Sequence, residues 1–225
     1  PPLGRVEALF AQLKEEGYEY VIAVPLSAGI SSTASMIEAA AKRAELPISV
    51  IDPYTTVNTQ GYLAVCAREL AEQGVEPQEI ECRLKASVES GNTLLVPDDL
   101  MHLKRGGRLT PLAATLGSML KIKPILQLNV GTGGKVDVLD KVRTMSKALA
   151  RMVEVAREDG FVPGEYELRL LDSEGGDSVE QLRRLLEETF AGCTIERSTI
   201  CPVIAAHTGL GAVAIQYQKK VEGIA

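Results

Sequence analysis

Three consecutive hydroxyl side chains, Ser31, Ser32 and Thr33, and a histidine, His207, are the residues whose types best suit chemistry in this chain. Two chemistries fit them. Gly29-Ile30-Ser31-Ser32-Thr33 nearly matches the G-x-S-x-G nucleophile elbow, with Thr33 in place of the last glycine, and the order serine, acid, histidine is open to Ser31, a carboxylate and His207. Hydroxyls at a helix amino terminus can equally hold an anion, because the first helical N–H groups lack partners and the helix dipole favours negative charge there. The simplest role for any one of the three is a helix cap. His207 lies in the small-residue segment Ala206-His207-Thr208-Gly209-Leu210-Gly211-Ala212, whose glycines permit close approach of a backbone or ligand. It is either a site residue or a structural histidine with satisfied nitrogens. His102, between Met101 and Leu103, reads as a solvated or capping residue.

Basic residues form a second group. Lys104, Arg105, Arg108, Lys121 and Lys123 cluster in sequence, with Arg143 further on, in a chain whose net charge is −6. Each arginine is either a solvated charge or part of a surface that docks a partner or meets a phosphate. Gly133-Gly134-Lys135 lacks the hydroxyl residue of a phosphate loop and leads into a strand, which argues against a nucleotide site. The acidic balance, the 4% aromatic content and the absence of Trp argue against nucleic acid as a partner. Cys66, Cys82, Cys193 and Cys201 form no C-x-x-C pair, so no metal site is expected, and reduced thiols in a cytoplasmic protein are the default. No apolar run is long enough for membrane insertion and no leader pattern is present. The start at Pro1-Pro2 rather than Met reads as a fragment lacking its N-terminal segment.

The elements that must position these residues follow from periodicity. Tyr20 to Val24 reads as a short buried strand and Ala34 to Glu45 as a helix, so the hydroxyls occupy a strand-to-helix turn. A first helix carries Val6, Leu9, Phe10 and Leu13 on one face and ends at Gly17. Ile48 to Ile51 is the next strand, closed by Asp52-Pro53; helices over Val57 to Glu72 and Pro77 to Glu89 and a strand over Thr93 to Val96 follow. This alternation predicts a parallel sheet, with Ser31 and Asp52 at the carboxyl edge where ligands bind such sheets. After the short helix and basic glycine turn at 98–111, the expected elements are a helix from Leu112 to Leu120, a hairpin of Ile122–Leu128 with Lys135–Leu139 and a helix from Arg143 to Glu158. Tyr166–Leu171, a helix from Ser178 to Thr189, Cys193–Ile200 and an apolar strand pattern over Val203 to Tyr217 complete the chain. The fold class is α/β, with an incomplete N-terminal parallel-sheet domain over 1–101 and a smaller C-terminal α+β domain over 102–225.

Several motifs in order resemble those of the DegV family. Leu26 to Thr33 is similar to its S-x-x-L-S-G-T turn, and Leu103-Lys104-Arg105-Gly106-Gly107-Arg108-Leu109 to its L-K-K-G-G-R-I signature. Leu116-Gly117 with Leu120-Lys121-Ile122-Lys123-Pro124-Ile125-Leu126 resembles L-G-x-x-L-x-I-K-P-I-L. Val142-Arg143-Thr144 with Lys147-Ala148 resembles V-R-x-x-x-K-A, and His207 to Ala212 resembles H-x-G-P-G-A. Ser32 replaces the family's glycine after the key serine, Leu210 its proline, and Asp52-Pro53 its Asp-Ser pair.

The resemblance implies a bacterial lipid-binding protein of phospholipid metabolism that holds a long-chain fatty acid between two domains. It would present the carboxylate to a separate ATP-dependent kinase for acyl-phosphate formation, with no turnover of its own and no cofactor beyond the bound fatty acid. Carried onto this sequence, Ser31 with its neighbours Ser32 and Thr33 would bind the carboxylate, His207 would join the head-group network, and Arg105, Arg108 and Arg143 would meet partner or phosphate. The family's opening strand and the Thr-rich segment upstream of the first helix are absent from this sequence. A hydrogen bond to a charged group contributes about 1.5–3 kcal/mol, and the tail, at about 0.8 kcal/mol per buried CH₂, contributes more. The alternative is a serine acyl-hydrolase using Ser31 and His207.

Overall fold

The computed structural model describes residues 1–115 and 122–224; for Leu112 and Thr115 the backbone alone is described. The chain divides into two compact units, Pro1–Val88 with the returning Val221–Ala225, and Glu89–Lys220.

The first unit contains α1 (Leu3–Glu15), β1 (Val21–Ala23), α2 (Thr33–Ala44), β2 (Ile48–Val50), α3 (Asn58–Glu72) and α4 (Pro77–Glu89). β1 and β2 are parallel, with Val21 opposite Ile48 and Ala23 opposite Val50. One apolar cluster joins α1 to α2 through Val6, Phe10, Ala40, Ala41 and Leu46. A second gathers Ile51, Leu63, Cys66, Leu70, Ile80 and Leu84 with Val221 from the returning chain. Gly17 follows α1 at φ 87°, the left-handed conformation that a glycine terminator supplies. Leu9 stands at the margin of the α1 stripe set by Val6 and Phe10, and is 51% exposed rather than inward.

The second unit contains β3 (Asn92–Val96), α5 (Leu100–Gly106), α6 (Pro111–Thr115), β4 (Lys123–Leu128), β5 (Asp137–Val142) and α7 (Met145–Glu158). It continues through β6 (Tyr166–Ser173), α8 (Asp177–Thr189), β7 (Glu196–Thr199), α9 (Pro202–Thr208) and β8 (Ala212–Lys219). Its sheet has the order β5-β4-β3-β8-β6-β7. Alternate residues of β3, β6 and β8, among them Leu94, Leu168, Leu170, Ile215 and Tyr217, pack with Leu149, Met152 and Val153 of α7 and Val179, Leu182 and Leu186 of α8. That arrangement follows from the period-2 strands meeting the apolar stripes of two amphipathic helices.

The structure differs from four expectations. The chain divides at 88/89 instead of near 101, because β3 is hydrogen-bonded between β4 and β8 and so belongs with the second sheet. The second unit, expected to be the smaller, is the larger of the two. The segment over Val203 to Tyr217 is helix α9 followed by β8, instead of one strand with a turn inside it. An apolar run as short as Val203-Ile204-Ala205-Ala206 carries no decisive period; Pro202 at the first helical turn starts a helix, and Gly209 at φ 79° follows its end. The hairpin partner begins at Asp137, because Gly133 and Gly134 both take positive φ and the turn extends past them. Of the expected helix from Leu112 to Leu120, the part beyond Thr115 lies outside the described residues, as do Leu116, Gly117, Leu120 and Lys121 of the motifs.

Candidate functional site

The strand-to-helix turn exists as expected, between β1 and α2. The backbone N–H groups of Ile30 and Ser31 donate to the Ser27 carbonyl at 3.2 and 3.1 Å, and the Gly29 N–H donates to Ser27 Oγ at 3.1 Å. Ser27, fully buried, is therefore the pivot of the turn. Asp52, just beyond β2, ties this turn to the neighbouring loop: its Oδ2 accepts the Ala28 N–H at 3.0 Å and its Oδ1 the Tyr54 N–H at 2.7 Å. The Ser27 N–H donates to the Thr55 carbonyl at 2.9 Å, and Gln60 Nε2 donates to the Val24 carbonyl at 2.9 Å. The loop so held has Tyr54 at φ 50° and Val57 at φ 63°. For a β-branched residue that is a strained conformation, of the kind that surrounding structure must enforce.

Within the turn the three hydroxyls differ. Ser31 Oγ accepts the Thr33 N–H at 3.2 Å and lies 2.8 Å from Thr33 Oγ1. Ser32 occupies the N-cap position, but its side chain is exposed and makes no cap hydrogen bond; its carbonyl accepts the Met36 N–H at 3.2 Å. The capping contact is thus made by Ser31, one residue earlier. Two hydroxyls share one contact, so one proton of the Ser31–Thr33 pair remains for a ligand. Ser31 is not among the residues with positive φ, in contrast to the strained serine of a nucleophile elbow. The arrangement suits hydrogen-bond donation to an anion better than nucleophilic attack.

His207 belongs to the second unit, at one end of its sheet. The pairings place the ends of β3, β5, β6 and β7 there together with the starts of β4 and β8. α5, α9 and Arg143 all adjoin that end. His207 lies in the last turn of α9, not between strands, and a Cβ on Gly106 of α5 would stand 2.5 Å from its Nδ1. Ser173 at the end of β6 donates from Oγ to the Gly209 carbonyl at 2.9 Å and accepts the Ala212 N–H at 3.3 Å, which fixes the loop after α9. The L-K-R-G-G-R-L and H-T-G-L-G-A motifs, roughly a hundred residues apart in sequence, therefore meet.

The basic group is only partly free. Lys123 Nζ donates to Asp98 Oδ1 at 2.7 Å and to its carbonyl at 2.9 Å. Arg108 Nη1 donates to the Gly106 carbonyl at 2.6 Å. Arg105 and Arg143 are exposed and have no ion-pair partner among the described residues. Arg143 falls just outside α7, which Thr144 caps by accepting the Lys147 N–H at 3.3 Å. Among the described residues, no group of three or more His, Cys, Asp or Glu could hold a metal, and no helix is long and apolar enough to cross a membrane.

Sequence reasoning missed Ser27, Ser173 and the partnership of Gly106 with His207. Ser27-Ala28-Gly29 carried a usable signal, since a serine two residues before a glycine commonly bonds backbone in a turn. Ser173 and Gly106 carried none locally.

Fold and site together define a two-unit α/β protein with a hydroxyl pair at one helix amino terminus and an imidazole on a short helix of the second unit. The chain belongs to the DegV family: the family model described as "Uncharacterised protein, DegV family" matches residues 1–220. A DegV domain-containing protein of Streptococcus pyogenes serotype M3 is 34% identical over 215 residues, covering 95% of this chain and 75% of the relative. Among solved structures, a fatty acid binding DegV family protein from Streptococcus agalactiae superposes with a TM-score of 0.90 at 34% identity, covering 98% of this chain and 77% of that one. DegV from Bacillus subtilis, described as a fatty acid binding protein, gives a TM-score of 0.83 at 30% identity, with 98% and 77% covered.

Proposed function

We propose that this protein binds one long-chain fatty acid and presents its carboxylate, without turnover, to a separate ATP-dependent kinase that forms the acyl phosphate. The observation that carries the reading is the likeness over 98% of the chain to the S. agalactiae protein described as fatty acid binding. The chemistry of the site supports it. Ser31 and Thr33 supply the carboxylate with a hydroxyl proton at a helix amino terminus, and Ser32 adds backbone rather than side chain. His207 is the second head-group residue. Arg105 and Arg143, exposed and unpaired among the described residues, suit contact with the kinase or with the phosphate it installs, and Arg108 assists from its place on the Gly106 carbonyl.

The direct test is native mass spectrometry of the purified protein, followed by displacement of a fluorescent long-chain fatty acid by oleate. One bound fatty acid per chain is expected. Ser31→Ala should weaken oleate binding on the order of tenfold, the cost of one hydrogen bond to a charged group. Failure of the wild-type chain to bind oleate, or unchanged affinity in Ser31→Ala, overturns the assignment.

A further inference from the structure

Two glycines stand side by side at the end of α5 for different reasons. Gly107 has φ 67° and nothing near its absent Cβ, so it serves the backbone by ending the helix. Gly106 lies inside the helix with no positive φ, where alanine would be the better helix former. What Gly106 provides is space: a Cβ there would stand 2.5 Å from His207 Nδ1 and 3.5 Å from its Cγ and Cε1. The contact is matched in the other direction. The ring of His102, on α5, lies 3.0 Å (Cδ2) and 3.3 Å (Cγ) from where a Cβ would stand on Gly209, the residue after α9. Each helix thus sets a histidine ring on a glycine of the other, and Ser173 pins the Gly209 carbonyl from the sheet side.

We propose that this reciprocal histidine–glycine seat fixes the direction of the His207 imidazole, with Gly106 as a positioning residue and His102 as the counterpart that holds the loop after α9. An imidazole donates or accepts only along its two in-plane nitrogen directions, and the equal distances to Cγ and Cε1 put the absent Cβ along the Nδ1 direction, so the ring meets Gly106 edge-on through Nδ1 and offers Nε2 in one direction. The alanine methyl would force the ring to turn. That the nitrogen serves a fatty acid carboxylate rests on the reading above; the seat itself does not.

Labelling the ring nitrogens of histidine gives two sets of NMR signals, because the chain has two histidines, and His102→Gln assigns them. Gly106→Ala should shift the His207 set, and should weaken oleate binding on the order of tenfold. In a His207→Ala background, where the space is restored, the same substitution should change affinity by less than about twofold. If Gly106→Ala alone melts earlier, recovery of the melting temperature in Gly106→Ala/His207→Ala supports the seat. Unmoved His207 signals, or an equal loss of affinity with and without the His207 ring, overturn it. Shifted His207 signals in a protein that binds no oleate leave the seat standing and overturn the proposed ligand instead.

Discussion

At the β1–α2 turn, one carboxylate accepts two backbone N–H groups, a buried serine accepts a third, and the candidate hydroxyls of Ser31 and Thr33 bond to each other. At the α5–α9 contact, neither histidine ring has a hydrogen bond among the described residues, and the close approaches are to glycines. The two candidate groups are therefore positioned by opposite means, polar connection around Ser31 and missing side chains around His207. The difference has a practical consequence. A polar connection tolerates small shifts, because hydrogen-bond lengths and angles have breadth; a steric seat does not, because repulsion rises steeply at contact. Substitutions should therefore act on Ser31 through loss of partners and on His207 through gain of atoms.

The largest effect expected from this contrast is at Asp52. Asp52→Ala strands the Ala28 and Tyr54 N–H groups, and with each charge-assisted bond contributing about 1.5–3 kcal/mol before water compensates at the exposed end, a loss of about 3 kcal/mol is expected. Urea unfolding measures it, and Asp52→Asn, which keeps one acceptor oxygen, should fall between. If Asp52→Ala costs less than about 0.5 kcal/mol, within the range of ordinary surface changes, the turn is held by something other than this carboxylate.

The second unit offers its own polar comparison at the opposite end of the sheet from His207. Tyr217, 1% exposed, donates its hydroxyl to Asp159 Oδ2 at 2.5 Å, and Asn92 Nδ2 donates to the same oxygen at 2.9 Å. Burial, reinforced by the Asp159 carboxylate, pushes the phenol well above its ordinary range. In the unfolded chain tyrosine ionises near pH 10, so above that pH the unfolded state releases a proton that the folded state keeps. The Tyr217 contribution is accordingly complete below pH 10 and is lost as pH rises above it, with a slope of about 1.4 kcal/mol per pH unit. Tyr217→Phe should cost about 1.5 kcal/mol at pH 8 and, in urea titrations from pH 8 to 11, lack that part of the slope. Parallel curves for the two proteins would remove Tyr217 from the polar anchoring of this unit.

The same contrast explains how much could be read from sequence. Strand, turn and helix around Ser31 were legible because each carries a local signature: an apolar β-rich run, a glycine, then apolar residues at helical spacing. The family motifs marked Gly106 and His207 separately, yet their contact depends on β3 and β8 pairing, which sets α5 beside α9. Nothing within either segment encodes that pairing, and no charge or period signals a glycine kept for the space it leaves. α9 itself was hidden for the same reason, since four apolar residues fit a strand as well as a helix until Pro202 is given its place in the first helical turn. The division at 88/89 rather than near 101 was not legible because a short strand such as β3, buried along its whole length, suits a parallel sheet and a buried antiparallel strand equally.

The smallest effect, and the one that resolves the hydroxyl pair, is expected at Thr33. Ser31 Oγ already accepts the Thr33 N–H, so if Thr33 Oγ1 donates to it as well, both its lone pairs are engaged and its own proton points outward. Accepting two bonds also polarises that O–H and makes it the stronger donor, which favours this direction of the chain. Thr33→Val keeps the β-branched shape and the backbone N–H while deleting the hydroxyl. It should therefore leave the Ser31 proton available and weaken oleate binding only about two- to threefold, roughly 0.5 kcal/mol, against the tenfold loss in Ser31→Ala. Displacement titrations of the two variants side by side decide the direction. Were Thr33→Val as damaging as Ser31→Ala, the outward proton would be that of Thr33, with Ser31 donating inward to it; the polar anchoring would stand, but the threonine would be the residue that meets the ligand.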